Sequence, residues 1–290
     1  MTGCIIGGAI GDAFGGAYEG QPPSVEISDA RQWKLSDDTQ LTLATCEAIT
    51  QSGGIVEPSV IAARFADWHR QACISGMGAS TLKALSELVH GGHWALVGRK
   101  GDRAAGNGAA MRIAPLAFCL DPGDAKGRQT IRDVSRITHH HEEAYAGALA
   151  VAVAVRAAWD GTWDGERSLM GIVIEALPDT QVRDRMIELR QAGETLALPE
   201  TGRRFGCSGY VVDSVPFAIC GAQRVLNLGF RQMMCELIVA GGDTDTNASI
   251  AGQIAGTLLG RDALPEGMVG RLPEREFIER VARDFAQTVI

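Results

Sequence analysis

Two acidic segments that lie far apart in the sequence carry the side chains most able to support chemistry. The first is Ser36-Asp37-Asp38-Thr39 and the second is Asp243-Thr244-Asp245-Thr246. Each comes directly before a segment with helical periodicity, so both present carboxylates and hydroxyls at the start of a helix. Oxygen ligands of this kind select Mg²⁺, Mn²⁺ or Ca²⁺ rather than Zn²⁺. If the segments meet in the folded chain, we expect a binuclear cation site, because bound cations would offset the repulsion among the carboxylates.

Simpler interpretations of both segments are open. Ser36 is a good N-cap, and the two aspartates after it favour the positive end of a helix dipole. The Asp-x-Asp-x-Asn pattern from Asp243 would suit an EF-hand loop, but Ala248 stands where that loop needs glycine and Ile254 where it needs a bidentate glutamate. The sequence thus excludes an EF-hand and leaves helix capping and cation binding as alternatives.

Glycine makes up 36 of the 290 residues and gathers in short clusters beside helical segments. Such clusters favour close helix packing or a backbone that approaches a ligand. At Gly106-Asn107-Gly108, backbone amides at a glycine-rich helix start could bind phosphate. Met111 stands at the third glycine position of the dinucleotide fingerprint, and the chain has no Gly-Lys-Ser/Thr, which excludes Rossmann and Walker A loops. The alternatives are a turn that caps a helix and a pyrophosphate-binding loop that is neither of the Rossmann nor of the Walker A type.

Three consecutive histidines, His139, His140 and His141, follow Thr138. On a helix, adjacent residues diverge by about 100°, so at most one or two of the three can point inward. The cluster is then either solvated or capping, or it supplies one histidine to a sugar or a phosphate.

Glu19 follows the first glycine-rich helical stretch and lies between Gly16 and Gly20. A carboxylate on a mobile segment could serve as a general acid or base, or as part of a flap over a site. An exposed glutamate at the start of a loop is the alternative.

Composition excludes several classes of protein. A formal charge of −8 without a long run of Lys or Arg disfavours binding to duplex nucleic acid or anionic lipid. The longest apolar stretch without a charge, residues 144–155, is shorter than the ~20 residues of a membrane span. Residues 1–20 lack the basic region of a signal peptide. Seven scattered cysteines without a Cys-x-x-Cys spacing predict reduced thiols. We therefore expect a cytoplasmic protein, and we expect it to be a monomer.

The elements that must position these residues are predicted to be helical almost throughout. Two loops, Gly20–Leu35 and Leu196–Gly209, contain prolines, glycines and mixed charge without a period. The sequence therefore predicts an all-α fold with one compact domain, residues 1–290. The helical segments are predicted at residues 41–49, 60–68, 82–89, 142–159, 182–192, 212–227, 229–240, 246–259 and 274–288.

Together these motifs resemble the ADP-ribosylglycohydrolase family, whose dinitrogenase-reductase-activating branch and ADP-ribosyl-acceptor hydrolase branch share one all-helical fold. The resemblance extends along most of the chain. Its motifs are Gly7-x-x-x-Gly-Asp12 with Glu19, Ser36–Thr39, Gly106-Asn107-Gly108-x-x-Met111-Arg112, Thr138-His139, Tyr210, and Gly241–Thr246.

The resemblance implies metal-dependent hydrolysis of the glycosidic bond that links ADP-ribose to a protein side chain or a related conjugate. It implies two divalent cations, Mg²⁺ or Mn²⁺, that hold ribose hydroxyls and lower the pKa of a water. The implied metal ligands are Ser36, Asp37, Asp38, Asp243, Asp245 and Thr246. The implied catalytic residues are Glu19, Asp38 and Asp245, and the implied substrate-binding residues are Gly76, Met77, Gly78, Gly106, Asn107, Gly108 and His139.

The acceptor side of the site departs from the arginine-specific pattern. Relatives of the dinitrogenase type carry Asp-x-Gly-Asn-Thr, whose carboxylate can meet a guanidinium, where this chain has Gly76-Met77-Gly78-Ala79-Ser80. We therefore expect a slight preference for O-linked, serine-type conjugates over arginine-linked ones. The alternative function is a non-catalytic relative that binds ADP-ribose or has a structural role, against which the intact acidic pairs argue.

Overall fold

The computed structural model of the protein describes residues 1–28, 30–193 and 196–289, and these residues form an almost entirely helical fold, which confirms the predicted fold class. The α-helices are α1 (Thr2–Gly16), α2 (Asp37–Gln51), α3 (Pro58–Arg70), α4 (Ala79–Val89), α5 (Ala125–Arg136), α6 (Glu142–Asp160), α7 (Leu169–Ala176), α8 (Gln181–Ala192), α9 (Leu198–Phe205), α10 (Val211–Gln223), α11 (Val225–Leu228), α12 (Phe230–Ala240), α13 (Thr244–Leu259), α14 (Glu266–Val269) and α15 (Arg275–Val289). Short 3₁₀ helices span Asp102–Ala104, Asn107–Arg112, Ala114–Phe118 and Arg261–Ala263.

Two strands of two residues each form the one sheet of the described chain. Strand β1 (Arg99–Lys100) pairs in parallel with β2 (His139–His140), and Arg99 stands opposite His139. His139 and His140, which were expected to follow one another on a helix, therefore lie on a strand, and that expectation was wrong. In an extended strand neighbouring side chains point to opposite sides, so His139 and His140 serve different surroundings.

One predicted loop contains a helix. The stretch Leu196–Gly209 was expected to be irregular because it holds Pro199, but α9 begins at Leu198 and Pro199 lies in its first turn. Proline is tolerated there because the amide hydrogen that it lacks would have no partner inside the helix. The other predicted loop, Gly20–Leu35, has neither helix nor strand among its described residues, and its residue 29 lies outside them.

Helices α1 and α13 are in backbone contact along most of their lengths. A Cβ atom added at Gly3, Gly7, Gly11 or Gly15 would lie only 2.1–2.3 Å from a backbone oxygen of α13. The partners of these four glycines run backwards along α13, from residue 256 to residue 244, so the two helices are antiparallel. Because the pair is antiparallel, the end of α1 lies beside the start of α13. This contact brings the second acidic segment to the N-terminal region of the chain.

Helix α6 forms the middle of the core, and its residues 144–155 are buried on every face. A helix that is apolar all round is expected at such a position. No helix in the described part of the chain combines the length and hydropathy of a membrane span.

Candidate active site

A cleft of about 570 Å³ collects most of the residues that the sequence analysis singled out. Of the predicted metal ligands and catalytic residues, those that line it are Glu19, Asp37, Asp38, Asp243, Asp245 and Thr246. Of the predicted substrate-binding residues, those that line it are Gly76, Gly78, Gly106, Asn107, Gly108 and His139. Ser36 and Met77 are not in its lining. Met77 packs against the hydrophobic core, and Ser36 lies in a smaller adjoining cavity that it shares with Glu19 and Asp245.

The first acidic segment is held in place by Asp12 of α1. The Ser36 backbone amide and hydroxyl donate hydrogen bonds to the Asp12 carboxylate, the latter at 2.7 Å. The backbone amide and hydroxyl of Thr39 also donate to it. Ser36 itself accepts a hydrogen bond from the amide of Asp38 at 3.2 Å, which confirms that it caps α2. Asp12 therefore fixes where the aspartates at the start of α2 point.

The two acidic segments meet in space. Carboxylate oxygens of Asp12, Asp38 and Asp245 all lie within 4.8 Å of one another, and the three side chains are buried. The hydroxyl of Thr246 donates a hydrogen bond to Asp38 Oδ2 at 3.2 Å, which joins the two segments directly. Asp243 accepts a hydrogen bond from the side-chain amide of Asn107 at 2.8 Å. The side chain of Asn107 thus faces the acidic cluster.

Burial and mutual repulsion shift the acidities of these carboxylic acids. Burial, followed by the charge of Asp12, raises the pKa of Asp37 to about 7. Burial and the hydrogen bond and charge of Asp243 raise the pKa of Asp245 to about 9. Burial, followed by the charge of Asp245, raises the pKa of Asp38 well above its ordinary value. Without a cation, the cluster therefore binds protons at neutral pH.

The residues at this position fit a divalent cation. Asp38 Oδ1 is fully buried and has no hydrogen-bond partner among the described residues. A carboxylate oxygen in that condition is costly unless a positive charge compensates it. The nearby donors are carboxylates and hydroxyls, the hard oxygen ligands that Mg²⁺ and Mn²⁺ prefer. The geometry therefore supports cation binding as well as helix capping.

Asp12 is the functional residue whose role the sequence analysis missed. It appeared in a motif but received no role, although a signal was available. It is the only charged residue of α1, whose sequence from Thr2 to Gly16 is otherwise glycine and apolar residues apart from its first position. A carboxylate at 0% exposure in such a helix needs strong partners, and its partners here are the donors at the start of α2.

The ring of His139 lies against the two glycines of the Gly106-Asn107-Gly108 loop, while the Asn107 side chain of the same loop contacts Asp243. A Cβ atom at Gly108 would lie 2.8 Å from Cε1 of the His139 ring, so only glycine leaves room for the ring there. The other two histidines have separate roles. His140 bonds through Nε2 to the carbonyl of Val97 at 2.7 Å, and His141 caps α6.

Arg99 is a cleft residue without any signal in the sequence, because a strand of two residues has no detectable period. It is the one Lys or Arg side chain that lines the cleft within the described ranges. Its guanidinium makes no hydrogen bond or ion pair with any described residue. A free cation beside His139 and the glycine loop gives the cleft one acidic region and one basic region.

Glu19 lies just beyond the end of α1, exposed to solvent and lining the cleft. Partial burial raises its pKa, and the charges of Asp243 and Asp12 act in the same direction. A carboxyl group with these properties retains its proton to higher pH than an ordinary glutamate, as a general acid requires.

An all-helical domain with a buried carboxylate cluster and a glycine-lined cleft matches a known class of hydrolase. The family model described as ADP-ribosylglycohydrolase matches residues 1–289. The ADP-ribosyl-dinitrogen reductase glycohydrolase of Rhodospirillum rubrum is 26% identical over 302 residues, which cover 96% of this chain and 93% of that protein. The ADP-ribosylhydrolase ARH3 of Mus musculus is 26% identical, with 92% of this chain and 85% of that protein covered. A solved structure, described as an ADP-ribosylglycohydrolase-related protein complex, has a TM-score of 0.75 and 26% identity and covers 100% of this chain and 97% of its own.

The chain therefore belongs to the ADP-ribosylglycohydrolase family, whose members are hydrolases that act on ADP-ribose conjugates.

Proposed function

We propose that the protein hydrolyses the glycosidic bond between ADP-ribose and a side-chain oxygen or a related acceptor, and that it needs two divalent cations, Mg²⁺ or Mn²⁺. The observation that carries this proposal is the meeting of the two acidic segments around the unpartnered oxygen of Asp38. Membership of the family supplies the reaction class.

The cations would be held by Asp37, Asp38, Asp243, Asp245 and Thr246, with Ser36 able to contribute its hydroxyl oxygen. When bound, they would polarise ribose hydroxyls and lower the pKa of a water. Asp38 and Asp245 would contribute to catalysis by holding the cations that orient the sugar, while Asp12 keeps α2 in register with α1.

Glu19 supplies the proton transfer in this proposal. Departure of the acceptor from the anomeric carbon passes through an oxocarbenium-like state and needs a proton on the leaving oxygen. The raised pKa of Glu19 favours its protonated, donating form at a higher pH than for an ordinary glutamate, and its exposed position at the cleft lets it exchange that proton with solvent afterwards.

The wall of the cleft formed by the glycine loop, His139 and Arg99 binds the diphosphate. Gly106 and Gly108 let the ligand approach the backbone, His139 offers a ring nitrogen, and Arg99 supplies a positive charge. Arg99 suits the task because a guanidinium recognises phosphate oxygens through paired hydrogen bonds.

The preference for an O-linked acceptor rests on the segment from Gly76 to Ser80. Gly76 has a left-handed φ of +80°, and a Cβ atom there would lie 3.6 Å from Asp37 Oδ1. Gly76 and Gly78 line the cleft without a side chain, so this segment offers no carboxylate to a guanidinium. A serine-type acceptor needs none.

The proposal also places the protein in the cytoplasm, as a monomer. None of the seven cysteines, all of which lie in the described part of the chain, is joined in a disulfide, and four of them are buried, which suits a reducing compartment.

The decisive experiment incubates the protein with ADP-ribosyl-serine and ADP-ribosyl-arginine peptides, first with Mg²⁺ or Mn²⁺ and then with EDTA. We expect metal-dependent release of ADP-ribose, faster from serine. Glu19→Gln should lower kcat by about 10²-fold or more. The matched control is Glu26→Gln, an exposed glutamate of the same loop that is not in the lining of the cleft. Release from neither peptide at high protein concentration would refute the hydrolase for these bonds and leave ADP-ribose binding without turnover as the alternative.

A further inference from the structure

A buried arginine lies behind the cleft and does not line it. Arg112 is 0% exposed, and its guanidinium carbon lies 4.9 Å from the centre of the Phe65 ring. Its Nη2 donates a hydrogen bond to the hydroxyl of Thr138 at 2.6 Å. Its Nε and Nη1 have no partner among the described residues. Burying a guanidinium in such surroundings lowers the stability of the folded chain, and its one side-chain hydrogen bond goes to Thr138, the neighbour of the cleft residue His139.

The hydrogen bond from Arg112 fixes the direction of the next one. Arginine can only donate, so the Thr138 oxygen accepts from it and is left with one hydrogen to give. The hydroxyl lies 2.7 Å from Nδ1 of His139, and within the described ranges this nitrogen is the one acceptor in contact with it. Donation to Nδ1 makes that nitrogen an acceptor, so the proton of a neutral ring must be on Nε2.

The ring is neutral in this position. Burial lowers the pKa of His139 to about 3, and the nearby charges of Arg112 and Arg99 act in the same direction. The atoms Nε2 and Cε1 lie against Gly106 and Gly108, the glycines of the cleft wall. Nε2 has no hydrogen-bond partner among the described residues. It is therefore the ring atom left available to a ligand.

We propose that Arg112 is a positioning residue that acts through Thr138 to hold His139 in the Nε2–H tautomer, so that the ring presents a fixed neutral donor to a phosphate oxygen of the bound ADP-ribosyl group. The opposite tautomer would present a lone pair at Nε2 and repel that oxygen. The identity of the ligand rests on the proposed function, whereas the tautomer does not.

The first experiment records the long-range ¹H–¹⁵N spectra of the full chain with ¹⁵N-labelled histidine, because these spectra distinguish protonated from unprotonated ring nitrogens. We expect His139 to be protonated only at Nε2. Thr138→Val, which keeps the shape and removes the hydroxyl, should produce a mixture of tautomers, and Thr138→Ser should restore the single form. Thr45→Val is the matched control, since Thr45 is also fully buried but bonds to the carbonyl of Leu41.

Arg112→Met tests whether the hydrogen bond from Arg112 is what holds His139 in the Nε2–H tautomer, and it should produce the same mixture of tautomers as Thr138→Val. If Arg112→Met does not fold, Thr138→Val still decides. A charged or Nδ1-protonated His139 in the unmodified protein would overturn the proposal. An unchanged tautomer in Thr138→Val would overturn it as well.

The second experiment measures the affinity for ADP-ribose by calorimetry. We expect Thr138→Val to bind more weakly in proportion to the share of rings that leave the Nε2–H form, about twofold for an even mixture of tautomers, with Thr138→Ser and Thr45→Val unchanged. An altered tautomer with unaltered ADP-ribose affinity would overturn the role of His139 toward the ligand. If the protein releases ADP-ribose from no conjugate but shows the expected spectra, the proposed function is refuted, while the role of Arg112 and Thr138 in holding the His139 tautomer is supported.

Discussion

Replacing Asp38 by asparagine should separate the stability of the empty protein from its stability with a cation bound. Burial, followed by the charge of Asp245, holds the pKa of Asp38 well above its ordinary value, so the folded, cation-free chain keeps a proton there to a higher pH than the unfolded chain does. Folding then requires proton uptake, which lowers stability. Asparagine needs no proton and has the same shape. Asp38→Asn should therefore leave the cation-free protein equally stable or more stable.

With a cation, the sign of the effect is reversed. A ligand at a hundred times its dissociation constant stabilises the folded state by about 2.7 kcal/mol. The entropy of unfolding is about 2.1 cal/mol/K per residue, or about 0.6 kcal/mol/K for 290 residues. Each of the two proposed cations should thus raise the Tm of the unmodified protein by about 4 °C, or about 9 °C for both together. Asp38→Asn should lose most of this rise, because it removes the charge of the carboxylate whose Oδ1 is unpartnered.

Thermal unfolding of EDTA-treated protein, titrated with Mg²⁺ and with Mn²⁺, measures both effects. Asp164→Asn is the control, because Asp164 is exposed and lies outside the cleft lining. A full cation-dependent rise in Asp38→Asn would show that this carboxylate is not a ligand. A large loss of stability in EDTA would show that it is ionised in the empty fold.

Three further outcomes are expected. The free energy of unfolding without cations should fall as the pH rises from about 5 to 9. The reason is that folded Asp37 and Asp245, with pKa values of about 7 and about 9, hold protons that the unfolded chain has lost. Urea titrations that give a flat pH profile would contradict this expectation. Gly7→Ala should lower the free energy of unfolding by at least about 3 kcal/mol in the same assay, because its Cβ would lie 2.3 Å from the oxygen of Gly252. Its control is Gly16→Ala on the same helix, whose Cβ would meet nothing nearer than 3.8 Å and which should lower the free energy of unfolding by under about 1 kcal/mol. Arg99→Gln should raise KM for ADP-ribosyl peptides about tenfold with a smaller change in kcat, and Arg99→Lys should recover part of the lost affinity. An unchanged KM in steady-state assays would show that Arg99 does not bind the diphosphate.

Local signals in the sequence predicted the individual parts of the site well. Ser36 before two aspartates predicted a capped helix start, and α2 begins there. The periodic segments predicted most of the long helices, with boundaries that differ by a few residues. Such features depend on neighbours within one or two helical turns, and the sequence displays those neighbours directly.

The meeting of the two acidic segments could not be derived from spacing, because Asp37 and Asp243 are 206 positions apart. It depends on the contact between α1 and α13, where glycines four residues apart let the backbones touch. The glycine clusters indicated close helix packing, but nothing in the sequence of α1 identified α13 as the helix that packs against it. The cleft positions of Arg99 and His139 likewise depend on a two-residue strand pairing between segments 40 positions apart, which has no local signature.

The arrangement of charge bears on whether the chain is a catalyst or only a binding protein. Asp12, Asp38 and Asp245 repel one another in a buried cluster, and the buried cation behind the cleft, Arg112, bonds to Thr138 and not to them. Left empty, such a cluster weakens the fold at neutral pH, since every raised pKa there is a loss of stability relative to the unfolded chain. A protein that only bound ADP-ribose would do better with neutral side chains, because the diphosphate is itself negative. The cluster therefore favours the proposed cations, which would act on the sugar, over a binding role alone. If so, Asp38→Asn will abolish turnover while ADP-ribose affinity in EDTA is kept or improved, and a variant that loses both together would favour the binding role.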